Sequence, residues 1–138
     1  MRRHFFNKGF SMPLVRISLP QSTLPLDVAA VSGAVHNALV ATFNVPESDR
    51  FQAIDRHNLD ELVCTPEFLG VKHSQHVVFV QISCSPGRSL DMKKALYAKI
   101  AEDISRTSSF KAADVIINLL ETSRENWSFG LGVAQYAL

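Results

Sequence analysis

The strongest constraint on the fold is an order of elements that occurs twice along the 138 residues. Each half begins with a strand-like segment rich in β-branched and apolar residues, residues 13–19 and 76–84. Each half ends with a second such segment, residues 50–54 and 114–120. Between these segments, mostly apolar residues recur at helical spacing: Val28, Val31, Val35, Leu39 and Thr42 in the first half, and Met92, Leu96, Ile100 and Ile104 in the second.

Individual residues repeat as well. A Leu-Asp pair opens both predicted helices, at residues 26–27 and 90–91. A further aspartate follows 22 residues after the first acid and 23 after the second, at Asp49 and Asp114. Internal duplication at a distance of about 64 residues explains these coincidences.

The duplication predicts both the fold class and the domain division. We expect an α+β fold in which two tandem β-α-β units form a four-stranded mixed sheet with two helices on one face. The units span about residues 13–75 and 76–138 and together make a single domain. An N-terminal extension, residues 1–12, precedes it.

The ends of the helices are marked by residues with strong positional preferences. Ser22 or Thr23 is expected to cap the first helix, with Pro25 in its first turn and its end near Phe43 or Asn44. Ser89 is expected to cap the second helix.

Two helices on one face leave the other face of the sheet uncovered. The segment 77–82 is apolar at all but one position, so we expect apolar side chains on the uncovered face as well. Such a face should be buried against further copies of the chain.

Composition excludes several classes of protein. Hydrophobic residues make up 46% and charged residues 20%, as in ordinary globular domains. Residues 1–12 hold three basic residues and no acid, so residues 13–138 hold 11 basic and 13 acidic residues, a formal charge of −2. This balance argues against a nucleic-acid partner. The sequence contains no apolar run of roughly 18 residues, so no membrane association is expected.

Cysteine and histidine give no sign of a metal or a cofactor. Cys64 and Cys84 form no CxxC motif, and the five histidines show no HExxH spacing. His36 falls in the middle of a predicted helix and is expected to be structural. Isolated cysteines in a chain without a recognisable leader predict a reducing, cytoplasmic location.

Four segments of the chain resemble one known group of enzymes. The Met12-Pro13 start of the first unit resembles the tautomerase superfamily, the 4-oxalocrotonate tautomerase and macrophage migration inhibitory factor fold, in which the initiator methionine is removed and a proline becomes the N-terminus. The runs VPESDRFQ, GRSLDMKKALY and NWSFGLGVAQ, at residues 45–52, 87–97 and 126–135, are similar to its malonate semialdehyde decarboxylase-like family. The resemblance covers residues 12–138.

The resemblance implies a set of site residues. Pro13 matches the catalytic proline, Asp49 the catalytic aspartate, and Arg88 a catalytic arginine that binds the substrate carboxylate. The walls of the substrate pocket are matched by Trp127, Phe129 and Tyr136, the last at a position where the decarboxylase has phenylalanine. The decarboxylase also has a second arginine, and Pro86 stands at that position here.

These residue types suit proton transfer at a carbonyl compound. A neutral proline amine is a general base, whereas a protonated one is an acid that polarises a carbonyl group. Asp49 is expected to favour the protonated form. The planar guanidinium of Arg88 can bind a carboxylate with two hydrogen bonds.

The implied function is that of a cofactor-independent enzyme acting on small oxo acids. It would be malonate semialdehyde decarboxylase-like with side tautomerase activity, and would assemble as a homotrimer. Two alternatives stay open: a phenylpyruvate-type keto-enol tautomerase, to which the missing second arginine lends support, and a non-catalytic oligomeric binding protein with a blocked proline.

Whether Pro13 can act in catalysis depends on whether residues 1–12 stay attached to it. If residues 1–12 remain attached, the nitrogen of Pro13 is an amide, which is neither basic nor protonatable. If translation begins at Met12 and this methionine is removed, the amine is free. The presence of Pro13, Asp49 and Arg88 together favours the second possibility.

Overall fold

The computed structural model describes residues 13–137, so the extension at residues 1–12 and the last residue, Leu138, lie outside the described residues. Its α-helices and β-strands follow in chain order: β1 (Leu14–Pro20), α1 (Pro25–Phe43), β2 (Gln52–His57), β3 (Glu67–Phe68), β4 (Val71–Lys72), β5 (Val78–Cys84), α2 (Leu90–Thr107) and β6 (Val115–Glu121). Strands β3 and β4 form a small hairpin in the connection between the two units.

The four long strands form one mixed sheet in the order β2-β1-β5-β6. Within each unit the two strands are parallel, β1 with β2 and β5 with β6. The units are joined by the antiparallel pairing of β1 with β5, in which Leu14 lies opposite Ser83 and Ile17 opposite Val80. The predicted fold class is confirmed.

The core lies between the sheet and the two helices. Alternate residues of β1 and β5 face the helices and are almost wholly buried: Val15, Ile17 and Leu19 of β1, and Val78, Val80 and Ile82 of β5. The central residues of both predicted helical stripes meet them there: Val31, Val35 and Leu39 of α1, and Leu96, Ile100 and Ile104 of α2. Val28 and Met92, at the start of each stripe, are only partly buried.

Helix α1 is unusually apolar. Its 19 residues have the length and mean hydropathy of a membrane-crossing segment, which differs from the sequence expectation. Its valines and leucine nevertheless fill the core of this domain, so its apolar character is explained by packing against the sheet and α2.

The two helices begin differently. Ser89 caps α2 as predicted, because its side chain accepts a hydrogen bond from the Met92 backbone N–H at 3.2 Å. The cap predicted for α1 is wrong: the N-cap is Leu24, which has no side-chain acceptor, and Pro25 follows in the first turn. The Thr23 hydroxyl instead donates to the Pro20 carbonyl at 2.7 Å.

The uncovered face of the sheet is more polar than expected. The apolar run of β5 alternates, so that Val78, Val80 and Ile82 point to the helices while the exposed Gln81 lies on the open face. Gln81 donates to Asn118 at 3.1 Å, and nearby Arg16 pairs with Asp55 at 3.2 Å, which makes the middle of this face polar. Exposed apolar side chains lie towards the two ends of the sheet instead: Val63, Phe68, Leu69 and Val71 at the hairpin, and Leu14 and Leu120 at the other end.

The contrast in capping leads to a test of helix stability. Ser89→Ala should lower the free energy of unfolding by about 1 kcal/mol, because α2 loses its cap. Leu24→Asp should raise it by a similar amount, because Leu24 has extended backbone angles and is 67% exposed, so a carboxylate there can cap α1.

Urea unfolding of both variants and the parent protein, at one protein concentration, measures these differences. Equal changes of the same sign would contradict the assignment of the two caps.

Candidate active site

The topology gathers the candidate residues at one end of the sheet. Strands β1 and β2 begin at this end, and β5 and β6 finish there, because β1 is parallel to β2 and antiparallel to β5. Pro13 immediately precedes β1, and Asp49 shortly precedes β2. Arg88 follows β5, and the C-terminal segment follows β6.

Pro13 is buried at this end of the sheet, directly before β1. The two residues after Pro13 are bonded on both sides. Leu14 pairs with Ser83 of β5, and the Val15 N–H donates to the Phe51 carbonyl at 2.9 Å. Pro13 therefore lies beside the segment that leads from Asp49 into β2.

Asp49 lies on a short loop that begins after α1. The loop starts at Asn44, whose left-handed backbone (φ 57°) ends the helix, and the Asp49 N–H donates to the Pro46 carbonyl at 2.9 Å. The left-handed Asn44 and this hydrogen bond turn the chain tightly from α1 into β2.

Two side chains of α1 anchor this loop on either side of Asp49. The ring of His36, which is 3% exposed, contacts the Glu47 carbonyl at 2.8 Å, and this pairing requires the proton on Nε2. Arg50 donates to the Ser32 hydroxyl at 2.8 Å, and Ser32 also bonds Gln52. The burial and bonding of His36 fit the structural role predicted for it.

A small cavity of about 270 Å³ lies beside Asp49. Its lining is one carboxylate, one amide and three aromatic rings: Asp49, Gln135, Phe51, Phe129 and Tyr136. Its volume lies near the lower end of the range for ligand pockets, which suits a small ligand.

Phe129 is the centre of the aromatic wall. Its ring centroid lies 5.5 Å from that of Phe51, 5.6 Å from that of Tyr136 in an edge-on arrangement, and 5.3 Å from the nearly parallel ring of Trp127. The indole N–H of Trp127 donates to the Thr122 hydroxyl at 2.7 Å. The wall is thus tied to the end of β6.

Arg88 is buried, with 6% of its surface exposed. Its Nη1 donates to the Ser85 carbonyl at 3.0 Å and to the Ser85 hydroxyl at 3.3 Å, and its Cζ lies 4.7 Å from the centre of the Phe43 ring. Burial lowers the pKa of the Arg88 guanidinium, but a guanidinium stays protonated at neutral pH. Burial also raises the pKa of the adjacent Cys84 thiol, opposed by the charge of Arg88.

The candidate residues divide into two groups. Asp49, Phe129 and Tyr136 share the cavity, and Trp127 is connected to it through Phe129. Of the residues that the structure describes, Pro13 and Arg88 do not line this cavity, although both lie at the same end of the sheet. Their roles stay predictions.

Sequence reasoning missed two residues of the cavity, Phe51 and Gln135. Phe51 is two residues from Asp49, and Gln135 ends the third resembling run, so both fell within motifs already quoted. Their proximity to Phe129 was not visible, because it depends on how the C-terminal segment folds back. Within residues 13–137, no group of three His, Cys, Asp or Glu side chains could hold a metal ion.

Asp114, which matches Asp49 in the second unit, has different surroundings. Asp114 lies at the opposite end of the sheet, is 2% exposed, and accepts hydrogen bonds at 2.7 Å from both the N–H and the hydroxyl of Ser74. These bonds tie the connection between the units to the start of β6. Asp114 also borders a cavity, of about 480 Å³, but both of its carboxylate oxygens accept hydrogen bonds from Ser74.

Comparison with known proteins identifies the family. The family model described as tautomerase enzyme matches residues 49–130, which include Asp49, Arg88, Trp127 and Phe129. The chain belongs to the tautomerase family. It is an enzyme of that superfamily. Its sequence is 32% identical over 124 residues to YusQ, a probable tautomerase of Bacillus subtilis (strain 168). The match covers 90% of this chain and 98% of the relative.

Solved structures add a relationship to the decarboxylase branch of the tautomerases. FG41 malonate semialdehyde decarboxylase, inhibited by 3-bromopropiolate, superposes with a TM-score of 0.83 at 32% identity, over 89% of this chain and 93% of that one. Another malonate semialdehyde decarboxylase, described with decarboxylase and hydratase activities, gives a TM-score of 0.80 at 31% identity, over 89% and 95%. A fused 4-OT symmetric trimer, at 18% identity and a TM-score of 0.72, shares the fold.

The anchoring of the Asp49 loop leads to a stability prediction. His36→Leu should lower the free energy of unfolding by about 1–3 kcal/mol, because it removes the donor that meets the Glu47 carbonyl. Urea unfolding measures the difference.

The control is His76→Leu, since His76 is exposed and should tolerate the change within about 0.5 kcal/mol. Equal stability of the two variants would show that the His36 contact does not hold the loop.

Proposed function

We propose that this tautomerase is a cofactor-independent enzyme that uses the free amine of Pro13 on small oxo acids, as a malonate semialdehyde decarboxylase with side tautomerase activity. The observation that carries the proposal is the cavity at Asp49, which is small, has aromatic walls and lies at the end of the sheet where Pro13 and Arg88 also lie. Two malonate semialdehyde decarboxylases at 32% and 31% identity add support.

The chemistry assigns one task to each group. The protonated amine of Pro13 polarises the aldehyde carbonyl of the 3-oxo acid, while Arg88 holds the carboxylate. The bond between the carboxylate carbon and C2 breaks, its electron pair moves towards the polarised carbonyl, and carbon dioxide leaves. The enolate that remains takes one proton at carbon and becomes acetaldehyde. Asp49 keeps Pro13 protonated and orients the substrate.

A second candidate is keto-enol tautomerisation of an aryl oxo acid. Two observations favour it. Pro86 stands where the decarboxylase has a second arginine, so one guanidinium instead of two acts on the carboxylate. The stacked rings of Trp127 and Phe129 also offer a flat apolar wall that suits a phenyl group. In this reaction Pro13 acts as a neutral base that moves a proton between oxygen and carbon.

We also propose that the working form is a homotrimer. A structure with the same fold is described as a symmetric trimer. This chain exposes Val63, Phe68, Leu69 and Val71 beside the open face of the sheet, and exposed apolar groups of this kind are commonly buried between subunits. Sedimentation equilibrium giving the mass of one chain would contradict this assembly.

Activity measurements separate the candidates. Protein produced from Met12, with that methionine removed, should release carbon dioxide and acetaldehyde from malonate semialdehyde, and should convert phenylenolpyruvate more slowly. Pro13→Ala should reduce the faster of the two activities by roughly 10²–10⁴-fold, the usual contribution of a positioned acid or base. Pro66→Ala, a change at an exposed proline, is the control and should leave both rates unchanged.

The state of the N-terminus is measured in parallel by intact mass of the protein from its native source. A mass that includes residues 1–12, together with undiminished activity, would contradict the role of a free amine. Activity towards neither substrate would favour the non-catalytic binding protein.

A further inference from the structure

We propose that Gln135 is a positioning residue, whose side-chain amide fixes the turn of residues 129–135 and so sets the aromatic wall beside Asp49. The effect on catalysis rests on the proposed function, whereas the effect on the wall does not. The inference begins with the conformation of this turn.

The turn is intrinsically unfavourable. Three successive residues have a positive φ: Gly130 at 126°, Leu131 at 62° and Gly132 at 67°. Glycine adopts such angles freely, but leucine does so only when its surroundings impose it. The Leu131 side chain is 97% exposed and cannot supply that support.

The side-chain amide of Gln135 supports the backbone of this turn. Its Oε1 accepts from the Phe129 N–H at 2.8 Å, and its Nε2 donates to the Gly130 carbonyl at 3.0 Å. One side chain thus satisfies a backbone donor and a backbone acceptor on consecutive residues, in place of a partner strand. One backbone bond, from the Val133 N–H to the Gly130 carbonyl at 3.3 Å, accompanies them.

The two hydrogen bonds of the Gln135 side chain, called the clamp below, act directly on the cavity. Phe129, whose N–H is held, contacts Phe51, Trp127 and Tyr136 through its ring. Gln135 itself immediately precedes Tyr136, and all but Trp127 of this group line the cavity with Asp49. The two hydrogen bonds therefore set the separation of the Phe129 and Tyr136 rings, and with it the space left for the apolar part of a substrate.

Size and hydrogen bonding of Gln135 can be separated. Gln135→Met keeps the length of the side chain and removes both bonds. Gln135→Glu keeps the acceptor for Phe129 but replaces the donor to Gly130 with an oxygen. If Gln135 only filled space, methionine would replace it without consequence. Gln75→Met makes the same change at an exposed glutamine and is the matched control.

Trp127 reports on the wall without any substrate, because it is the only tryptophan in the chain. Both Gln135 variants should show a changed emission maximum and stronger quenching by acrylamide, with unchanged far-UV circular dichroism. The control should match the parent protein. Native emission and quenching in both variants would overturn the inference.

Kinetics with phenylenolpyruvate test the consequence for the site. Both Gln135 variants should raise KM about tenfold with a smaller change in kcat, as expected when one or two wall-holding hydrogen bonds are lost. A fall in kcat at constant KM would overturn the positioning role. If the parent protein converts neither oxo acid while the Trp127 signal still changes, the proposed function fails and the clamp of the wall stands.

Discussion

The antiparallel pairing of β1 with β5 is the interaction on which the rest of the structure depends. Each unit contributes only two parallel strands to the main sheet, and this pairing makes the two units one four-stranded sheet with one core. It also places the start of β1 beside the end of β5. Pro13 and Arg88, 75 residues apart in the chain, are brought to the same end of the sheet for this reason.

The two ends of the sheet are covered by different segments of the chain. At one end of the sheet the strands lead into the C-terminal segment, whose rings close over Asp49. At the other end β2 leads into the connecting hairpin, and Asp114 binds Ser74 of that connection. Asp49 thus lies among aromatic rings, whereas Asp114 holds a loop through Ser74, because different segments cover the two ends.

Arg88 is a buried charge at this end of the sheet. Taking a guanidinium out of water costs several kcal/mol, and among its contacts are hydrogen bonds to Ser85 and to the Phe43 carbonyl and the face of the Phe43 ring. A fold has little to gain in stability from such a charge. Its position at the end of the sheet that holds Asp49 accords with the proposed binding of a carboxylate.

Periodicity and duplication by themselves determined the two helices, the four long strands, their order, the core stripes and the fold class, because a helix must repeat its apolar residues every three to four positions and a strand every two. They did not predict the hairpin of β3 and β4. The motifs determined the family and the candidates Pro13, Asp49 and Arg88. Only the tertiary structure decided that Phe51 and Gln135 join Phe129 beside Asp49, that Leu24 rather than Ser22 or Thr23 begins α1, and that the open sheet face is polar in its middle. Those features depend on contacts between segments far apart in the chain, or on backbone angles at single residues, and local patterns encode neither.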